Sequence, residues 1–251
     1  MARTDSPRLH VAAPLAEGGA ISLSSEQANY LVNVLRLAPG ARVLVFNGRD
    51  GEFAASLAAT GRRSVRLRLA AQTRRPEAPP DVEFLFAPLK HARLDYMAQK
   101  AVEMGARRLR PVLTRRTQVA RLNVERLAAN AIEAAEQCGA IWTPECPPPE
   151  PLDKALAEWP AGRLLVFCDE AAPQADPLAA LSEAKPAGGA GLLVGPEGGF
   201  DARERAAILA LPRVARLSLG PRILRADTAA VAALALFQAV HGDWRSREPV
   251  E

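Results

Sequence analysis

Residues 191–200 read GLLVGPEGGF, residues 201–210 DARERAAILA, and residues 217–228 LSLGPRILRADT. Two short apolar runs, ending at Val194 and Leu219, each open into a turn of one design: Gly195-Pro196-Glu197-Gly198-Gly199 and Gly220-Pro221-Arg222. Proline fixes one backbone dihedral and glycine permits positive φ, so such turns let a ligand approach the main chain closely. Either alone reads as a plain tight turn. Their recurrence around one helical segment, beside Glu197, Arg222, Arg225 and Asp227, reads as a binding site.

Working outward, the same alternation runs back to residue 82. Strands are predicted at Val82 to Ala87, Arg108 to Leu113, Leu164 to Phe167, Leu192 to Val194 and Ala215 to Leu219. Helices are predicted at Leu94 to Met104, Asn123 to Gln137, Asp153 to Trp159 and Ala202 to Leu209. This βαβ rhythm predicts a mostly parallel sheet covered by helices on both faces, with ligands at the carboxyl ends of its strands. The closing segment, ADTAAVAALALFQAV at 226–240, has almost no polar face. It reads as a helix buried in the core, against another subunit, or both.

Before residue 81 the pattern differs. Arg42 to Phe46, Glu52 to Leu57 and Ser64 to Leu69 are strand-like, and Asn47-Gly48 and Asp50-Gly51 between the first two are hairpin signals. Ser24 to Leu37 reads as a short helix capped by Ser24, with Gln27 at the third position. A barrel of about 70 residues is marginal alone and is expected to pack on something. Three prolines within Arg74 to Pro80 mark a linker. The domain reading is therefore a β-barrel at 1–73, a linker at 74–80 and an α/β domain at 81–251.

Among the 251 residues, 49% are hydrophobic, as in globular chains. No apolar run approaches the roughly 20 residues that cross a bilayer, and MARTDSPRLH lacks the apolar stretch of a signal peptide; the expectation is a soluble, cytoplasmic protein. Cys138, Cys146 and Cys168 are odd in number and lack CxxC spacing, so they read as reduced thiols, and His10, His91 and His241 are scattered. No metal site is indicated. The net charge of +4 is uneven: residues 1–75 hold eleven arginines, no lysine and five acids. Such a basic region suggests nucleic acid, against the plainer reading of an arginine-rich solvated face. GxGxxG, GxxxxGK[ST] and GxSxG are all absent, which weakens dinucleotide, triphosphate-loop and serine-hydrolase readings.

The string LLVGPEGGF, followed after one helix by LSLGPRILRADTA, resembles the signature of the RsmE family, the 16S ribosomal RNA uracil-N3 methyltransferases of the SPOUT superfamily. Likeness continues in Arg8 of PRLH, in NVLRLAPGARVLVFNGRDGEF, around Lys100 to Gly105, and in EAAEQCG at 133–139, so it spans nearly the whole chain. The resemblance implies an N-terminal PUA-like β-barrel, a SPOUT-type trefoil-knotted sheet, a homodimer, and S-adenosyl-L-methionine as cofactor. Periodicity reveals no knot, and the general rule is against one. The implied activity is methylation of N3 of one uridine, uracil-1498, in 16S rRNA, on naked rRNA or the 30S subunit, with no membrane or metal partner.

By the same resemblance the cofactor contacts fall on Val194, Gly195, Pro196, Glu197, Gly198, Gly199, Leu219, Gly220, Ile223, Leu224 and Thr228. Arg225 is expected to stabilise the uracil anion and Asp227 to orient Arg225 or take the proton. Arg8 is expected to help place the RNA, with Arg36, Arg115 and Arg116 as further RNA contacts. Structural readings stand beside these: Glu197 as a turn cap, Arg225 with Asp227 as a helix-start ion pair, and Arg107 to Arg121 as a solvated face. The chain departs from the family pattern at Asp227, where Glu is usual, at Tyr30, where His is frequent, and at Ala140, where Arg is common. A SPOUT enzyme acting on another RNA, a non-catalytic RNA-binding or assembly protein, and a nicotinamide-dependent oxidoreductase remain as alternatives.

Overall fold

The computed structural model describes residues 6–58, 65–119 and 121–245. The chain divides into two compact units: residues 1–78 with 135–143, and residues 79–134 with 144–251. Residues 135–143, which lie within the 81–251 domain expected from sequence, cluster with the first unit.

In the first unit, β1 (Arg8–His10), β2 (Ala20–Ser22), β3 (Arg42–Phe46), β4 (Glu52–Leu57) and β5 (Arg66–Arg74) form a five-stranded sheet in the order β1-β3-β4-β5-β2. β1 runs parallel to β3 and the other pairs are antiparallel. β3 and β4 match their predicted bounds, whereas β1 and β2, three residues each, are too short to leave a period-2 signal. Register shifts between Glu52 and Ala55 mark a bulge, which bends the strand and curls the sheet. Inside the curl lie Leu9, Ile21, Val43, Val45, Phe53, Leu57, Leu67 and Leu69. The predicted helix begins as expected, with Ser24 and Gln27 forming a reciprocal capping box on α1 (Ser25–Asn29). It then widens into a π-helical turn, Tyr30–Val34, which buries Leu31 and ends at Arg36 in the left-handed region, φ 54°.

The second unit is a six-stranded, wholly parallel sheet in the order β11-β9-β10-β6-β7-β8. Its strands are β6 (Val82–Phe86), β7 (Arg108–Leu113), β8 (Glu150–Pro151), β9 (Leu164–Cys168), β10 (Ala190–Val194) and β11 (Val214–Leu217). Its helices are α2 (His91–Glu103), residues 124–134 of α3 (Val124–Cys138), α4 (Leu152–Ala157), α5 (Pro177–Glu183), α6 (Ala202–Leu209) and α7 (Ala226–His241). The central strands are buried along their length, as a sheet covered on both faces requires. Leu85, Val112, Leu165, Phe167 and Leu193 pack toward α4 and α6 through Leu152, Leu156, Trp159 and Ile208. α7 packs against α2, α5 and β10 and buries Ala230, Ala233, Leu234 and Phe237. No helix among the described residues is long and apolar enough to cross a membrane.

Candidate functional site

β9, β10 and β11 are neighbours and parallel, so their carboxyl ends meet at one edge of the sheet. The two glycine-proline turns leave from β10 and β11 at that edge, and a cavity of about 450 Å³ opens there. Val194, Gly195, Pro196, Glu197, Gly198 and Gly199 line it from one side, and Leu219, Gly220, Ile223 and Leu224 from the other. Thr228 is not among the lining residues; it is exposed in the first turn of α7.

The first turn is closed by Gly199 N donating to Pro196 O at 2.8 Å, with Gly199 at φ 68°. Gly195 has a different reason for lacking a side chain. A Cβ there would stand 2.5 Å from the Phe200 ring, which packs edge-on against Phe167 at 5.3 Å between centroids. α6 begins immediately after, with Asp201 and Glu204 forming a reciprocal capping box. The Asp201 carboxyl is held below its ordinary value, first by the Glu204 N–H and with help from Arg115 and Arg116.

Arginines secure this turn from outside. Arg93 on α2 pairs with Glu197. Arg116 donates to Gly198 O at 2.5 Å and itself lines the cavity. Arg115 reaches Asp201 at 3.2 Å, and its backbone N–H donates to Glu204 at 2.7 Å. Arg115 and Arg116, expected as RNA contacts, are thus fastened to the turn and to the helix that follows it.

A residue the sequence reading missed ties the cavity walls together. Asp169, directly after β9, lines the cavity with only 4% of its side chain exposed. Its Oδ2 accepts from Arg205 on α6 at 3.0 Å and from Arg216 on β11 at 2.8 Å. Its Oδ1 accepts from Ala171 N at 3.1 Å, and Arg216 also donates to Ala171 O. Burial opposes ionisation of Asp169, but the hydrogen bonds from Arg205, Arg216 and Ala171 outweigh it and hold the carboxyl below its ordinary value. One carboxylate therefore joins the end of β9, the helix after the first turn and the strand before the second. Nothing in the string CDEA pointed to this; the available signal was an acid directly after a buried strand. Cys168 beside it has its thiol pushed up to about 12 by burial.

The second turn is bare by contrast. Gly220 is left-handed at φ 94°. Arg222, Ile223 and Arg225 are exposed, Ile223 by 93%. Arg225 is the N-cap of α7 and makes no side-chain capping bond. Asp227 turns back to accept from Thr228 N at 2.9 Å. Arg225 and Asp227 do not form the helix-start ion pair that was the structural alternative.

Arg8 lies elsewhere, inside the first unit. Its guanidinium donates to Glu52 at 2.8 Å, to Ala135 O and Glu136 O at 2.9 and 3.0 Å, and to Ala140 O at 2.8 Å, and it sits 4.8 Å over the Phe46 ring. With 11% of its side chain exposed, this part-buried guanidinium, committed to a carboxylate and three carbonyls, fastens the 135–140 segment to the first unit's sheet. Arg36 remains exposed at the end of the π-helical turn. No cluster of three or more His, Cys, Asp or Glu able to hold a metal occurs among the described residues.

Residues 76–238 match the model of the RNA methyltransferase domain and residues 23–70 that of the RNA methyltransferase PUA domain. A ribosomal RNA small subunit methyltransferase E from Rickettsia conorii is 30% identical over 91% of this chain and 93% of its own. The chain belongs to the ribosomal RNA small subunit methyltransferase E family. Among solved structures, the family member from Neisseria gonorrhoeae bound to S-adenosyl methionine has a TM-score of 0.85 at 27% identity, over 95% of this chain and 99% of that one. A Legionella pneumophila methyltransferase in complex with the same cofactor has a TM-score of 0.81 at 28% identity, over 95% and 99%. The family's fold, a SPOUT-type α/β sheet with an N-terminal PUA domain, is the one described above.

Proposed function

We propose that this chain transfers a methyl group from S-adenosyl-L-methionine to N3 of uridine 1498 of 16S ribosomal RNA. The observation that carries the reading is the cavity between the two glycine-proline turns. Its volume lies within the range of small-molecule sites. Its lining combines main-chain groups of glycine turns, able to hydrogen-bond an adenine edge, with Val194, Leu219, Leu224 and Phe167, which suit the apolar faces of the ring. Bound S-adenosylmethionine would supply an activated methyl on a sulfonium, whose sulfur would leave as a neutral thioether when the methyl is transferred.

The chain's own residues then have to align and to manage one proton. N3 of uracil attacks only after losing its imide hydrogen, so charge develops on the ring. We assign Arg225, exposed between the lining residues Leu224 and Ala226 and without a side-chain partner among the described residues, to stabilise that charge, and Asp227 to receive the proton through the carboxylate oxygen not engaged with Thr228. Alignment of donor and acceptor is worth roughly 7–11 kcal/mol in comparable reactions. The target base has to be unpaired to enter. Arg36 is assigned to RNA contact. The partly buried face of α7 that carries Val231, Ala232, Ala235 and Leu236 is offered to a second copy, giving a homodimer. The reading places the protein in the cytoplasm with the ribosomal subunit.

The test is to incubate the protein and methyl-labelled S-adenosylmethionine with 30S particles and, separately, with deproteinised 16S rRNA, and to map the modified nucleotide. Label at N3 of one uridine is expected. Absence of label from both the 30S particles and the deproteinised rRNA, or label at another nucleotide, overturns the reading.

A further inference from the structure

The outward face of the first unit's sheet carries a concentration of charge that plays no part in the cavity. Strand pairing sets Arg42 on β3 opposite Ser56 on β4, Ser56 opposite Arg68 on β5, and Arg68 opposite Ala20 on β2; Arg66 stands opposite Ser22. Their chain neighbours Val43, Ala55, Leu57, Leu67, Leu69 and Ile21 form the core. Side chains alternate faces along a strand, so the three arginines share the outer one, and all three are exposed. Two strand spacings put Arg42 about 10 Å from Arg68, and two residues along β5 put Arg66 about 7 Å from it.

Ser56 lies between Arg42 and Arg68, and Ala20 and Ser22 flank the pair on β5 from the other side, all three too short to cover or neutralise a guanidinium. Of the unit's six described acids four are engaged elsewhere, Glu52 with Arg8 and Thr73, Asp50 with Leu15 N and Asn47, Glu77 with Arg74, and Glu136 with His10 N, and the other two, Glu17 and Glu26, are exposed. Among the described residues no carboxylate pairs with Arg42, Arg66 or Arg68. Like charges held this close repel one another, and a polyanion relieves that repulsion. A protein partner calls for an apolar or aromatic centre; the unit's exposed large hydrophobic residues, Tyr30, Val32, Val34 and Leu35, lie instead on the π-helical turn and directly after it. The planar guanidinium fork matches phosphate oxygens in pairs.

We infer that the face bearing Arg42, Arg66 and Arg68 docks the phosphate backbone of the RNA substrate. The inference rests on the reading of that substrate as ribosomal RNA. Each phosphate contact contributes about 0.7–0.9 to the slope of log affinity against log salt. The experiment compares wild type, a triple variant (Arg42→Gln, Arg66→Gln, Arg68→Gln) and the matching triple lysine variant. Each is titrated with deproteinised 16S rRNA across a salt series, and with S-adenosylmethionine, and melted thermally. The glutamine variant is expected to bind RNA roughly tenfold more weakly with a slope shallower by about 2. Cofactor affinity and melting are expected to stay unchanged, and lysine is expected to restore the slope. If wild type methylates rRNA but the glutamine variant keeps its slope, the docking face is overturned and the enzyme reading survives. If wild type neither binds nor methylates rRNA, both fall. Binding of polyglutamate to wild type and not to the glutamine variant, with RNA binding equal in both, reassigns the face to an acidic protein.

Discussion

The two glycine-proline turns began as one motif written twice, and the folded chain treats them oppositely. The turn at 195–199 is held from every side: Phe200 lies over Gly195, Arg116 bonds Gly198, Arg93 pairs with Glu197, and Arg115 secures the helix behind it. No side chain of 220–225 makes a hydrogen bond or ion pair among the described residues, and Ile223 is almost wholly exposed. A site that aligns two reactants needs one wall fixed before binding, because ordering it during the reaction costs part of the alignment gained. On the proposed function, the held turn is the preformed part of a cofactor cavity whose other wall includes Leu219 and Leu224, and the open turn carries the exposed charge, Arg222 and Arg225, offered to the uracil.

The assignment predicts its largest effect on the open side. Arg225→Ala is expected to cut turnover by roughly 10²–10³, the usual loss when one charge-stabilising donor is removed. Affinity for S-adenosylmethionine is expected to stay within about twofold. A matched fall in cofactor affinity with turnover unchanged would reverse the division between the turns.

Asp169 tests the held side. Asp169→Asn keeps the shape and removes the charge that Arg205 and Arg216 share. Breaking a buried pair costs about 3–5 kcal/mol, and the low end is expected because both arginines are partly exposed. Cofactor affinity should fall with it, and thermal melting and calorimetric titration read the two. The folded carboxyl lies below its ordinary value, so its stabilisation is present above the unfolded value near 3.9 and is lost as pH falls through the folded one. The asparagine variant should lack that share of the acid transition below about pH 4. Gly195→Ala is expected to cost about 1–3 kcal/mol, since Phe200 cannot move without disturbing Phe167. It should weaken cofactor binding by about tenfold.

What the residue pattern disclosed follows from what a pattern can encode. Strands β3 and β4 and helix α6 announced themselves because period 2, period 3.6 and capping residues are local. The glycine turns were legible for the same reason: positive φ at Gly199 and Gly220 leaves a mark in composition. The bonds that Asp169, Arg93 and Arg116 make were not legible, because their partners lie 36, 104 and 82 residues away. Arg8 is the complementary case: the family resemblance marked it, but its partners, Glu52 and three carbonyls from 135–140, lie too far along the chain for the sequence to show.

The smallest expected effect decides what Glu197 does. Its pair with Arg93 is half exposed on both sides, and exposed pairs contribute about 0.2–1 kcal/mol and weaken with salt. If the pair only steadies the turn, Arg93→Ala and Glu197→Gln should each weaken cofactor binding by no more than about fivefold. Their double variant should resemble either one, and high salt should erase the differences. If Glu197 complements the sulfonium, Glu197→Gln alone should weaken binding, and Arg93→Ala should strengthen it by freeing the carboxylate. Opposite signs in two calorimetric titrations would then move the cofactor's positive end to the held turn, beside Glu197, and leave Arg225 on the open turn facing only the base.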